Sequence, residues 1–203
     1  MKPPGGRQDA YRARTRASLL KSAQEVLAAV GLNATIEDLA NHAQVAPATI
    51  YNHFDSKDAY LKEALAHLWQ EWVLLAHNGR PQGQDLETFL EVCRTLFRID
   101  RTSTLLGQVL SKSMDNSPFV IDALRDSGGE PFKEALEKNG LYTDEFEIRL
   151  ELWAYCLAGI FHGLYVGDKM SPEDADNALR ISLSIWGLTS AQAEKLTSAP
   201  MTH

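Results

Sequence analysis

Leu20, Ala23, Leu27 and Val30 recur at the three- and four-residue spacing of one helix face. The pattern predicts a first helix from Arg14 to Val30, stopped by Gly31, a residue that accepts a left-handed backbone at no steric cost. Thr35 then precedes Ile36, Leu39 and Ala40, with Asp38 three residues on. In such a capping box the threonine oxygen satisfies a free backbone N–H, so a short second helix is expected from here to about Ala43. Pro47 suits the first turn of a third helix, where its missing N–H costs nothing. On that helix Ile50 and Phe54 share a face with Val45. Ala48 and Asn52 point the other way, flanked by Thr49, Tyr51 and His53.

Ser56 is placed to cap a fourth helix running through Trp69 and Trp72 to about His77, where NGRPQGQD breaks it. Further helices are predicted at Leu86–Ile99, Ser103–Met114, Pro118–Arg125, Glu130–Lys138, Asp144–Val166, Pro172–Trp186 and Ala191–Leu196. No run alternates in the manner of a strand and no repeat is visible, so the chain reads as all-α. Two short helices joined by a tight turn and packed on a longer one describe a helix-turn-helix, whose second helix can enter a major groove about 12 Å wide.

Length and composition, 203 residues at 44% hydrophobic, suit one large domain or a small one joined to a larger. Charge sharpens that division. The net charge of -7 separates into seven Lys/Arg against five Asp/Glu in residues 1–57, a net of +2, leaving -9 for the remainder. A basic end on an acidic body suits an end that meets a polyanion, and equally an ordinary solvated basic tail. Arg12, Arg14 and Arg16 accordingly read either as reaching along a groove or backbone, or as a solvated arm.

Cys93 and Cys156 lie far apart and lack the clustering of a zinc or disulfide framework. Both read as buried free thiols in a reducing compartment. The basic start MKPPGGRQDAYRARTR is not followed by an apolar leader, and the apolar stretch Leu152–Gly167 is interrupted by His162 and shorter than the roughly 20 residues of a span. A cytoplasmic protein with no membrane partner is expected. Glu63, His67 and Glu71 recur every four residues and suggest a metal site, but the paired Glu and Glu-x-x-His set of a di-iron bundle is missing, which favours salt-bridging. Neither a phosphate-cradling glycine loop nor a nucleophile in a catalytic motif is present, so the expectation is no metal, no cofactor and no enzymatic activity.

Val30 to Leu65, VGLNATIEDLANHAQVAPATIYNHFDSKDAYLKEAL, resembles the amino-terminal domain of the tetracycline-repressor (TetR) family of bacterial transcription regulators. Gly31, Thr35, Ile36, Leu39, Ala40, Ala43, Val45, Thr49, Ile50, Tyr51, His53, Phe54 and Lys57 fit the family pattern in order. Gln44 stands where the family usually has a turn glycine, and Ala46 where a serine commonly caps the third helix. The remaining two-thirds matches only in helix content and length.

The resemblance implies an all-α chain: an amino-terminal arm and three-helix helix-turn-helix domain over 1–57, joined to a larger helical ligand-binding and dimerisation domain over 58–203. It implies a homodimeric repressor released from a palindromic operator in double-stranded DNA by a small-molecule effector. The alternative is a helical ligand- or metal-binding module that does not bind DNA. By the family pattern Tyr51, His53 and Lys57 contact phosphates, Thr35 adds its amide and hydroxyl, and Ala48, Thr49 and Asn52 approach base edges beside Pro47. Candidates for the effector pocket are Trp72, Phe89, Phe97, Met114, Phe119, Trp153, Tyr155 and His162, each of which also reads as plain core. Candidates for the dimer interface are Gly159, Gly163, Ala178, Ile181, Ser182, Ile185 and Trp186, with a monomer's internal core as the alternative.

Overall fold

The computed structural model describes residues 6–76, 85–99, 104–113, 117–166 and 169–198. Among these residues ten α-helices and no strands are present. They are α1 (Arg7–Val30), α2 (Ile36–His42), α3 (Pro47–Tyr51), α4 (Lys57–Ala76), α5 (Leu86–Leu96), α6 (Leu105–Ser113), α7 (Ser117–Lys138), α8 (Phe146–Tyr165), α9 (Pro172–Ser182) and α10 (Ser190–Thr197). Short 3-10 turns occupy Gly31–Asn33 and Leu183–Trp186. No helix among the described residues is long and apolar enough to cross a membrane.

The helix ends follow the local chemistry. Asp38 N donates to Thr35 Oγ1 at 3.1 Å while Thr35 N donates to Asp38 Oδ2 at 2.9 Å, closing the capping box that starts α2. Ser171 and Asp174 repeat the arrangement at α9, and Ala59 N donates to Ser56 Oγ at 3.0 Å ahead of α4. These bonds hold both the Asp38 and the Asp174 carboxyl below the usual aspartate range. Gly31 takes φ +68 at the end of α1, as expected of a helix stop.

α5 ends at Leu96, short of the expected Ile99, and three further helices differ more from expectation. α1 begins at Arg7, two turns before Arg14, and Gly6 N donates to Asp9 Oδ2 at 3.2 Å at its start. Residues 8–14 are all exposed, so no apolar period marked those turns. α7 is one helix where two were expected, running through Gly128, Gly129 and Pro131. Phe132, Ala135 and Leu136 are buried on its far half and Ile121 on its near half, and this packing outweighs the roughly 1 kcal/mol per glycine that a helix interior loses. α9 ends at Ser182 and tightens into the 3-10 turn before Gly187, which adopts φ +85. The expected helix ends at His77, Ser103 and Met114 lie outside the described residues.

One hydrophobic core runs from Leu19 to Ala193. α1 packs on α2, α4 and α6; α4 on α7; α7 on α5 and α8; α8 on α9; α10 on α5 and α9. The expected division at residues 57 and 58 falls on the first residue of α4. Tyr60, Leu61, Ala64, Leu65 and Leu68 of that helix are buried, and Tyr60 Oη donates to the Leu19 carbonyl at 2.5 Å. The first turns of α4 thus complete the amino-terminal core, and the rest of the helix carries it into the body. Ion pairs continue the connection on the surface, Lys62 to Asp122 at 3.3 Å and Arg125 to Glu151 at 2.5 Å. Cys93 is buried, which pushes its thiol up to about 12, whereas Cys156 is exposed on α8, correcting the expectation that both were buried.

Candidate nucleic-acid interface

α3 has five residues, too few to be stable without its neighbours. Ile50 and Phe54 anchor it: both are buried, and Phe54 stacks on Tyr60 with ring centroids 4.3 Å apart. Pro47 opens the helix with no side-chain cap from Ala46, and Gln44 holds the preceding turn at φ 55. The turn therefore keeps the left-handed geometry that glycine favours, despite carrying a side chain. With one side anchored, the opposite side is outward. Pro47, Ala48, Tyr51 and Asn52 are exposed, and Thr49 and His53 are half-buried at its edges.

The expected phosphate contacts differ in their surroundings. Tyr51 projects freely, half exposed. Burial, together with the positive charges of Arg12 and Arg16, holds His53 below the usual histidine range, so its ring is neutral at pH 7 and offers a hydrogen bond rather than a charge. Lys57 Nζ donates to the Ala34 carbonyl at 3.1 Å, tying the start of α4 to the loop before α2. Thr35 is exposed with its hydroxyl engaged in the capping box, and it follows Ala34, whose carbonyl Lys57 binds.

Arginines of α1 close the far end of α3. Arg12 Nη2 donates to the Asn52 carbonyl at 3.2 Å, and Arg16 Nη1 donates to the His53 carbonyl. Arg16 also pairs through Nε and Nη2 with both oxygens of Glu63, and its guanidinium lies 4.2 Å from the centroid of the Phe54 ring. Asp9, Arg12, Ala13, Arg16 and His53 line a notch of about 260 Å³ at this junction. These turns of α1 are helical, and on them Arg12 and Arg16 are engaged with α3 and α4. Sequence reading weighed Arg12 and Arg16 as DNA or solvent groups and missed their hold on α3, because the partners are main-chain carbonyls about 40 positions away.

Residues 19–64 match the family model described as bacterial regulatory proteins, tetR family. This stretch is similar to the amino-terminal domain of the tetR family. The fold of the whole chain is that of TetR-family transcriptional regulators. It superimposes on RolR in complex with resorcinol with a TM-score of 0.63 at 18% identity, covering 96% of this chain and 98% of that one. RolR without ligand gives 0.55 at 20% identity over 92% and 98% of the two chains. A protein described as a TetR-family transcriptional regulator from Rhodococcus sp. gives 0.55 at 16% identity over 85% and 98%. No curated protein matches the sequence.

Behind the TetR-type domain, the body separates the remaining candidates by burial. Phe89, Phe132, Trp153 and Trp186 form an aromatic nest: Phe132 stacks on Trp153 at 4.7 Å, Phe89 lies 4.5 Å from Phe132, and Trp186 meets Phe132 edge-on at 5.2 Å. Trp153 Nε1 donates to Ser182 Oγ at 2.9 Å, whereas Trp186 Nε1 is buried without a partner. Phe97 is buried against Phe161, Trp72 is half-buried beside Trp69, and Phe119 is half-buried under Lys62. Met114 lies outside the described residues. Tyr155 and His162 are exposed on α8, which corrects their assignment to a pocket: they share the face opposite Trp153.

Ser182 and Trp186 are corrected in the other direction. Both are buried in the protomer's own core, Trp186 completely, and neither can meet a partner. Gly163 is half-buried, with Met170 of its own chain so close that an added Cβ would come within 3.2 Å of it. Gly159 and Ile181 are exposed, and Ala178 and Ile185 half-buried. Around them Ile148, Leu152, Tyr155 and Val166 form an exposed apolar stripe along α8, and Ile181 on α9 is 75% exposed. Glu63 and His67 do not stand ready for a metal ion: Glu63 holds Arg16, and His67 Nδ1 lies 3.3 Å from Gln24 Nε2 and 3.6 Å from Glu71. No metal-binding group of three is present among the described residues.

Proposed function

We propose that the chain is a cytoplasmic, homodimeric, DNA-binding repressor that a small-molecule effector releases from a palindromic operator. The observation that carries this reading is the outward side of α3: a short helix pinned by Ile50 and Phe54 offers Ala48, Thr49 and Asn52 between Tyr51 and His53. Small side chains let the helix approach the floor of a groove. Alanine and threonine methyls meet thymine methyls, and the Asn52 amide forms paired hydrogen bonds with adenine. Tyr51 and the neutral His53 ring donate to flanking phosphates, while Thr35 and Lys57 hold the start of α2 against the backbone.

Dimerisation rests on the apolar stripe of α8 and the neighbouring surface of α9. Contiguous apolar surface on a soluble chain marks an interaction site, and a two-fold axis between like faces sets two α3 helices on successive turns of one groove. Gly159, Ala178, Ile181 and Ile185 lie on this face together with Tyr155 and His162. Effector binding is assigned to the body around the aromatic nest, where the unpartnered Trp186 Nε1 is a donor available to an oxygen of a small ring compound. The RolR complex with resorcinol makes phenolic compounds the first class to screen.

Selection of bound duplexes from a random DNA library tests the reading, with a Tyr51→Ala, Asn52→Ala protein as control. Enrichment of a palindrome by the parent alone is the expected result. A folded parent that enriches nothing, with and without phenolic compounds, leaves a helical binding module and overturns the DNA assignment.

A further inference from the structure

We infer that Arg16 is a positioning residue for DNA recognition: from outside the recognition helix it fixes the backbone from which Asn52 and His53 project. The inference rests on the DNA-binding role proposed for α3. The Ala48 carbonyl of α3 accepts from Asn52 N and the Ile50 carbonyl from His53 N and Phe54 N, so the carbonyls that need donors from elsewhere are those just past the helix, of Asn52 and His53. Those donors come from α1. Arg12 satisfies the Asn52 carbonyl and Arg16 the His53 carbonyl.

The geometry of Arg16 suits this task and no simpler one. A guanidinium is planar, with donors fixed in a fork. One edge of that fork grips both oxygens of Glu63 on α4, the remaining nitrogen reaches the His53 carbonyl, and the flat face covers the Phe54 ring at 4.2 Å. Three elements, α1, α3 and α4, are thereby held in one register at the end of the recognition helix. The charge of Arg16 is matched by Glu63, so Arg16 is not available as a phosphate contact. The pair is also more than a third exposed on both sides, so its contribution to stability is small and its effect on register can be read separately.

Two substitutions separate positioning from simple electrostatics. Arg16→Lys keeps the positive charge but cannot grip a carboxylate with two donors, reach the His53 carbonyl and cover Phe54 at once. Glu63→Gln removes a negative charge, so general electrostatics predicts tighter DNA binding, whereas a loosened Arg16 predicts weaker binding. Affinity for the selected palindrome is measured for the parent and both variants over a salt series, alongside melting temperature. Both variants are expected to bind about tenfold more weakly, with salt dependence and melting temperature close to the parent's, because no phosphate contact is removed.

Parent-like or tighter binding by Glu63→Gln overturns the inference. So does a fall of about 0.9 in the steepness of log affinity against log salt when Arg16→Gln removes the charge, which identifies Arg16 as a phosphate contact. A loss of affinity that only follows a lowered melting temperature marks a purely structural role and also overturns it. If the parent binds no duplex, the DNA assignment itself fails; if the parent binds and both variants match it, only the positioning role fails.

Discussion

Gly31 and Gln44 both adopt positive φ, for different reasons. At Gly31 both backbone and space require glycine: a Cβ there would lie 2.4 Å from the Lys112 carbonyl oxygen at the end of α6. Gly31→Ala is therefore expected to destabilise the protein by at least about 2 kcal/mol in urea denaturation, combining the left-handed penalty with a clash against backbone. At Gln44 the side chain is exposed and only the backbone is disfavoured. Gln44→Gly should stabilise by up to about 1 kcal/mol, and no change in the same assay would show that the turn carries no strain.

His53 supplies a pH-dependent test at the same scale. Its folded pKa lies below the usual 6.5, so as the pH falls below 6.5 the unfolded chain takes up the proton before the folded one. The contribution of His53 to stability is complete above that value and is lost as the pH falls through the folded pKa. His53→Gln is expected to flatten this part of the stability profile. A profile unchanged by the substitution would place the titration on another group.

The elements differ in how openly their partners show in the sequence. α5, α9 and the short α2 were legible because one side of each is buried and the caps are local, as with Thr35–Asp38 and Ser171–Asp174. α8 was legible as a helix but not in its assignment of faces, since apolar residues surround it. Burial on one side and exposure on the other is what sorts Trp153 from Tyr155. Leu152→Glu or Ile181→Glu is expected to convert a dimer to a folded monomer in sedimentation analysis, because each would place a charge in the proposed apolar interface. Retention of the dimer by both would remove the α8–α9 face from consideration. Within the core, Ser182→Ala should cost about 1–3 kcal/mol by leaving Trp153 Nε1 buried without an acceptor, which thermal denaturation can measure.

At the scale of the whole molecule, a continuous core joins the TetR-type domain to the body through α1, α4 and α6. The division expected after residue 57 does not coincide with a break in the core. Unfolding should accordingly be one transition, with tryptophan fluorescence, reporting Trp69, Trp72, Trp153 and Trp186, coinciding with far-ultraviolet ellipticity. Separate transitions would show that the amino-terminal helices melt independently. The same continuity links the body to α3, since α4 carries Glu63 and Glu63 holds Arg16.

The sequence by itself determined the features that depend on near neighbours. These are the helical period, the Thr35–Asp38 cap, Pro47 at the start of α3, the glycine stop at Gly31, and the motif by which residues 19–64 match the tetR family model. Each arises from interactions within a few residues, where spacing and side-chain type suffice. Only the tertiary structure decided that residues 7–13 are helical, that α7 continues through its glycines, that Trp186 and Ser182 are core while Tyr155 and His162 are surface, and that Arg16 grips His53 and Glu63. Those outcomes rest on contacts between distant segments. An arginine bonded to a carbonyl 37 residues away, or a tryptophan covered by a helix from another part of the chain, leaves no periodic trace in its own neighbourhood.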